Sequence, residues 1–230
     1  MRMKYIFRGE KNMAYDVFIK ELREKNQLSQ TDIADIMGIS RTSVQLIENG
    51  STKFPSKKVL TKLSNYLNKS EVSVMAKILF DDLPLDNEIN QYITQRYLAH
   101  MYLEGWNIES SPYTYPVTSS YKLEFDGKMV KKREPKNSII VAKYDRFLIR
   151  LDDVESIHDA QGYMGDMLSI VMTVLDDFRS VNILFDFNDS NQREMFDYFK
   201  NIKYRKIGFD IKFILFDSVN NLIAEEITYK

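Results

Sequence analysis

Apolar residues recur at helical spacing through the first third of the chain. Val17, Phe18 and Leu22 give one side to a helix over about residues 15–26, with Phe18 and Leu22 as an i,i+4 pair. Ile33, Ala34 and Met37 form the face of a second, short helix. Ser29 caps it with Asp32 three residues on, and Gly38 stops it. A third helix opens at Ser40 and closes at Asn49-Gly50, where glycine supplies the left-handed turn at low cost. Val44 and Ile47, three apart, face its core, which leaves Arg41, Thr42, Gln45 and Leu46 nearer the outer side. A fourth helix starts near Ser56 after Pro55 and carries Val59, Leu60, Leu63 and Leu67. Ser70 caps a fifth with Val72, Val74, Met75, Ile78 and Leu79.

The pattern then changes. Residues 81–90 are acidic and contain a proline, which marks a linker. A helix is expected from Glu88 to Trp106, with Ile89, Tyr92, Ile93, Tyr97 and Met101 as its apolar face, followed by a loop from Ser110 to Pro116. Tyr121, Leu123 and Phe125 alternate with polar residues as in a half-buried strand, and Asp126-Gly127 reads as a hairpin turn into a return strand from Met129 to Lys132. Strands are expected at Ile139–Val141, Phe147–Ile149, Val181–Phe187 and Ile211–Phe216, with an edge strand from Leu222 to Thr228. Helices are expected over about 165–177 and 192–200. Strands alternating with helices predict a mixed α/β (α+β) domain.

Charge divides the chain at the same place. The net charge is -1, yet residues 1–80 hold 14 Lys/Arg against 8 Asp/Glu and residues 81–230 hold 18 against 25. A basic first third suits a polyanion. With no cysteine, disulfides, thiolate metal clusters and cysteine nucleophiles are excluded, and His100 and His158 are too far apart in sequence to form a metal motif. No apolar run is long enough to span a membrane and the N-terminus lacks a signal-peptide core, so a cytoplasmic protein is expected.

Two short helices joined by a tight turn are the geometry that sets one helix in a DNA major groove while the other braces it. Leu22-Arg23, Leu28-Ser29-Gln30, Ile33-Ala34, Gly38-Ile39-Ser40-Arg41 and Ile47-Glu48-Asn49-Gly50 resemble, in order and spacing, the helix-turn-helix domain of the Cro/C1 (XRE-type) repressor family. The resemblance covers about residues 15–80. It implies a lambda-repressor-like all-α domain over 1–80; the acidic 81–90 linker joins this to the mixed α/β domain at 91–230, in which no family is recognised and which is expected to serve dimerisation or sensing. By the same resemblance Arg41, Thr42, Gln45 and Leu46 read base edges, and Gln30, Ser51, Thr52 and Lys53 contact phosphate. Arg23 pairs with Glu48 as a scaffold tie. Lys57 and Lys58 add general attraction to the DNA backbone. Phe54 departs from the family, where a basic residue is frequent.

The expected partner is therefore double-stranded DNA, bound by a homodimer without cofactor or metal, with an effector or partner protein acting on the C-terminal domain. Two alternatives stay open. One is an antitoxin-like protein that grips a partner and regulates its own operon. The other is a Mg-dependent nuclease using strand-end acids among Glu124, Asp126, Glu134, Asp145, Asp152, Asp153 and Asp186, although no nuclease signature orders them. The basic run Lys128, Lys131, Lys132, Arg133 and Lys136 reads as a solvated turn. Asp186, Asn188, Asp189, Ser190 and Asn191 read as a capped strand-to-helix connection. No nucleotide-binding glycine loop or hydrolase signature is present.

Overall fold

The computed structural model describes residues 15–80, 83, 92–116, 122–131, 138–143, 178–201 and 210–229. The chain divides into two compact units.

The first unit consists of α1 (Tyr15–Lys25), α2 (Gln30–Met37), α3 (Arg41–Glu48), α4 (Lys57–Leu67) and α5 (Glu71–Leu79). Each of the last four opens on a serine whose hydroxyl accepts the backbone N–H three residues on, from Asp32, Ser43, Val59 and Ser73. These bonds satisfy donors that a helix N-terminus leaves unpaired. Asp32 closes the reciprocal half of the capping box by accepting from the Ser29 N–H at 2.8 Å. Gly38 ends α2 at φ +64, in the left-handed region, and the end of the Lys62 side chain lies where its side chain would stand. The core joins Tyr15, Phe18, Ile19 and Leu22 of α1 to Ile33, Met37, Val44, Ile47, Leu60, Leu63 and Met75. Ile19 and Tyr15, rather than Val17, complete the inner face of α1.

The second unit contains α6 (Ile93–Leu103), β1 (Asn107–Ser110), β2 (Tyr113–Pro116), β3 (Lys122–Phe125), β4 (Gly127–Val130), β5 (Ser138–Lys143), β6 (Ser180–Asp186), α7 (Ser190–Asn201), β7 (Asp210–Asp217) and β8 (Leu222–Tyr229). Six strands form one sheet in the order β1-β4-β5-β6-β7-β8, and β2 pairs with β3 separately. The central trio β5, β6 and β7 is parallel and the outer neighbours are antiparallel. All seven residues of β6 are buried, as befits a central parallel strand covered on both faces. Val181, Ile183 and Phe185 pack with Phe196 and Phe199 of α7 on one face. On the other, the buried Asn182 donates to the Tyr97 hydroxyl of α6 at 2.9 Å and receives the Ser180 hydroxyl at 2.9 Å, so its amide is paired.

Three expectations need correction. The Asp126-Gly127 pair is not a two-residue hairpin turn, because β3 pairs with β2 and β4 with β1 and β5. The registers Asn107↔Val130 and Tyr113↔Phe125 show one bent antiparallel arm instead, folded at Ser111, whose hydroxyl donates to the Asp126 carbonyl at 2.7 Å. The segment Ser110–Pro116 therefore holds a strand rather than a loop, its tyrosines Tyr113 and Tyr115 packing against Phe178. The expected helix ending at Trp106 stops at Leu103, and Gly105 at φ +89 turns the chain into β1. The strand expected at Phe147–Ile149 and the helix at 165–177 lie outside the described residues. Edge strand β8 runs from Leu222 to Tyr229, one residue beyond the expected end at Thr228, and its antiparallel ladder with β7 skips Ala224 as a bulge.

Candidate nucleic-acid interface

α3 is held by its inner face and presents its outer one. Val44 and Ile47 are buried, while Arg41, Thr42, Gln45 and Leu46 are exposed. Leu46 is 48% exposed. Ser40 fixes the start of the helix. At its end the N–H groups of Ser51 and Thr52 return to the Leu46 carbonyl at 2.9 and 3.3 Å, so the following loop is folded against α3 rather than trailing from it.

The structure brings Arg23 and Glu48 together. Arg23 Nε donates to Glu48 Oε1 at 2.7 Å, joining α1 to the last residue of α3. Burial alone raises the Glu48 carboxyl. Hydrogen bonds from Arg23 and Gln30, with the charges of Arg23 and Lys20, outweigh that effect and hold it below its ordinary value. Gln30 is half-buried and makes contacts within the unit. Its Nε2 donates to Glu48 Oε2 at 2.8 Å, and its Oε1 lies 3.5 Å from both Arg41 Nε and Gln45 Nε2. The bridging role of Gln30 is not readable from spacing, since it depends on how α2 crosses α3.

Ser51 and Lys53 are exposed and Thr52 is half-buried. Lys57 and Lys58 occupy the exposed first turn of α4. Cations there oppose the helix dipole, which favours acids at that end. Phe54, at the departure from the family pattern, is half-buried.

In the second unit, Lys128 is engaged within the chain rather than solvated. Its ammonium is 2.7 Å from Glu109 Oε1 and lies over the Tyr113 and Phe178 rings, while Lys131 lies over Trp106. Lys132, Arg133 and Lys136 lie outside the described residues, as do Glu134, Asp145, Asp152 and Asp153. Glu124 sits on β3, Asp126 between β3 and β4, and Asp186 at the end of β6. Asp186 accepts from the Asn188 N–H at 2.9 Å, and Asp189 caps α7 by accepting from Asn191 and Gln192 N–H groups at 2.9 and 3.2 Å. Among the described residues no group of three or more potential ligands is placed to hold a metal ion.

Residues 19–73 match the helix-turn-helix family model, and the fold there is that of an XRE-type domain. The second unit has no family match. No curated protein and no solved structure matches the chain. The helix-turn-helix domain supports a DNA-binding regulator of the XRE type. No helix among the described residues is long and apolar enough to cross a membrane.

Proposed function

We propose that the protein is a cytoplasmic repressor that reads a palindromic operator as a homodimer, with its second unit holding the dimer and receiving an effector or a partner protein. It needs neither a cofactor nor an enzymatic activity for this. The observation that carries the reading is the exposed outer face of α3, fixed from behind by Arg23, Glu48 and Gln30. In this reading Arg41 forks onto a guanine, Thr42 and Leu46 touch thymine methyl groups, and Gln45 reaches adenine.

Gln30, Ser51, Thr52, Lys53, Lys57 and Lys58 then ring the groove and meet phosphates. The placement of Arg41 and of Lys57 and Lys58 at helix N-termini supports this assignment. They weaken their own helices through the dipole, and an anion bound at those ends reverses the sign of that effect. One such module makes too few contacts for selective binding, so two copies on half-sites about 34 to 36 Å apart supply the remainder.

An effector that binds the free dimer more tightly than the DNA-bound one releases the operator by linkage. A footprint of the full chain on a selected operator tests the reading. Two protected half-sites on one face of the duplex are expected, and protection of a single half-site would overturn the dimeric form.

A further inference from the structure

The parallel neighbours β6 and β7 each end on an aspartate, Asp186 and Asp217. In open α/β sheets ligands bind outside the carboxyl ends of the strands. Both acids are buried, Asp186 at 1% and Asp217 at 5% exposure, and among the described residues no lysine, arginine or histidine forms an ion pair with either. A buried carboxylate is costly unless a charge or a full set of hydrogen bonds compensates it. Asp217 has such a set. Its Oδ1 accepts from the Val219 and Asn220 N–H groups, each at 2.9 Å, and its Oδ2 accepts from the Asn220 amide at 2.7 Å. Burial raises the Asp217 carboxyl, but these bonds and one from Asn188 outweigh that effect and hold it below its ordinary value. Asp186 is served on one oxygen only. Its Oδ1 accepts from the Asn188 N–H at 2.9 Å and the Ser218 hydroxyl at 3.4 Å, whereas Oδ2 is buried with no hydrogen-bond partner.

The Asn188 side chain lies between the two acids. Its Nδ2 stands 3.4 Å from Asp186 Oδ1, 3.3 Å from Asp217 Oδ1 and 3.4 Å from Ser218 Oγ, all longer than the roughly 2.7 to 3.2 Å of ordinary bonds. One neutral amide nitrogen thus faces three oxygens, two of them on buried carboxylates. Asn188 is exposed, so its side chain is free to swing outward and admit an ion from solvent.

We propose that this cluster is a divalent-cation site of the calcium class, the ion taking the place of the Asn188 amide nitrogen between Asp186 and Asp217. The site does not depend on the DNA reading. Calcium accepts carboxylates through both oxygens, so bidentate ligation by Asp186 gives its Oδ2 the partner it lacks. The surrounding oxygens then close to the roughly 2.3 to 2.6 Å of calcium–oxygen bonds. Among the described residues no third carboxylate or imidazole gathers there, so the other ligands are neutral: the Ser218 hydroxyl, the Asn188 amide oxygen turned inward, and water. Two carboxylates match the charge of one divalent ion. Magnesium, smaller and held to near-octahedral geometry, suits a bidentate carboxylate poorly.

Full-length protein stripped with a chelator is titrated calorimetrically with Ca²⁺ and, separately, with Mg²⁺, and its thermal melts are recorded with and without each ion. One Ca²⁺ per chain is expected, with a raised Tm and with Mg²⁺ bound ~10-fold or more weakly. Asp186→Asn keeps the side-chain shape but removes a charge, and should lower Ca²⁺ affinity ~10-fold or more. Asn188→Asp, at an exposed position that leaves the core untouched, adds a third carboxylate. It should lower the Tm without calcium and tighten Ca²⁺ binding ~10-fold, so the site stays testable even where Asp186→Asn fails to fold. No Ca²⁺ uptake by folded native protein at ~1 mM overturns the site. Uptake that Asn188→Asp leaves unchanged or weakens also overturns it, because the ion is then bound elsewhere. Equal affinity for Mg²⁺ overturns the calcium class.

Discussion

Gln30 Nε2 donates to Glu48 Oε2 at 2.8 Å, on the carboxylate oxygen that Arg23 leaves open. The first residue of α2 is thereby tied to the last residue of α3. Its carbonyl oxygen, on the other side, faces Arg41 and Gln45. A single amide therefore connects the scaffold pair to the side chains proposed to meet DNA.

Glu48→Ala removes the partner of both Arg23 and Gln30. Breaking a buried pair costs about 3 to 5 kcal/mol, and the partial exposure of Arg23 places this case toward the lower end. Urea denaturation of the full chain measures it, and a loss within a few tenths of zero would show that the pair is only superficial.

Arg41→Ala should cost about 1 to 3 kcal/mol on the selected site and relax the preference at one base step. Lys57→Ala should weaken all duplexes alike and lower the salt slope by about one unit. Titrations on specific and random duplexes over a range of salt separate the two. Equal losses on both duplexes for Arg41→Ala would remove it from the base-reading set.

The first unit was legible because its signals are local. Each serine cap lies three residues from its target, Gly38 and Gly50 end their helices in place, and Val44 and Ile47 show which side of α3 is buried. The second unit was legible where strands are buried on both faces, as in β6 and β7, or half-exposed at an edge, as in β8. It failed at Asp126-Gly127. That dipeptide has the composition of a hairpin turn, but long-range pairing of β4 with β1 and β5 decides its conformation. The role of Gln30 was hidden for the same reason, since it depends on a helix crossing rather than on a periodicity.

Gly38→Ala should destabilise the first unit by about 1 to 2 kcal/mol, because an L side chain at φ +64 is strained. The added methyl also meets the end of Lys62, a flexible chain that moves aside at little cost. Thermal melts of the single variant and of Gly38→Ala with Lys62→Ala distinguish the causes. Most of the loss should persist in the double variant.

Acid should loosen the scaffold through Glu48. Its folded-state carboxyl lies below its ordinary value, so the unfolded chain takes up a proton first as pH falls. The stabilisation is present above the unfolded value of about 4.3 and is lost as pH drops through the lower folded value. Stability measured between neutral and strongly acidic pH should therefore fall less steeply for Glu48→Gln than for the native chain. An unchanged slope would contradict the assigned cause.

The most direct test of α3 as a DNA-reading helix is selection of the full-length protein against a pool of random duplexes at low salt. Enrichment of one palindromic sequence, with half-sites separated by about one helical turn or a multiple, is the predicted result. Recovery of a pool as random as the one supplied, from protein shown to be folded, would contradict the account.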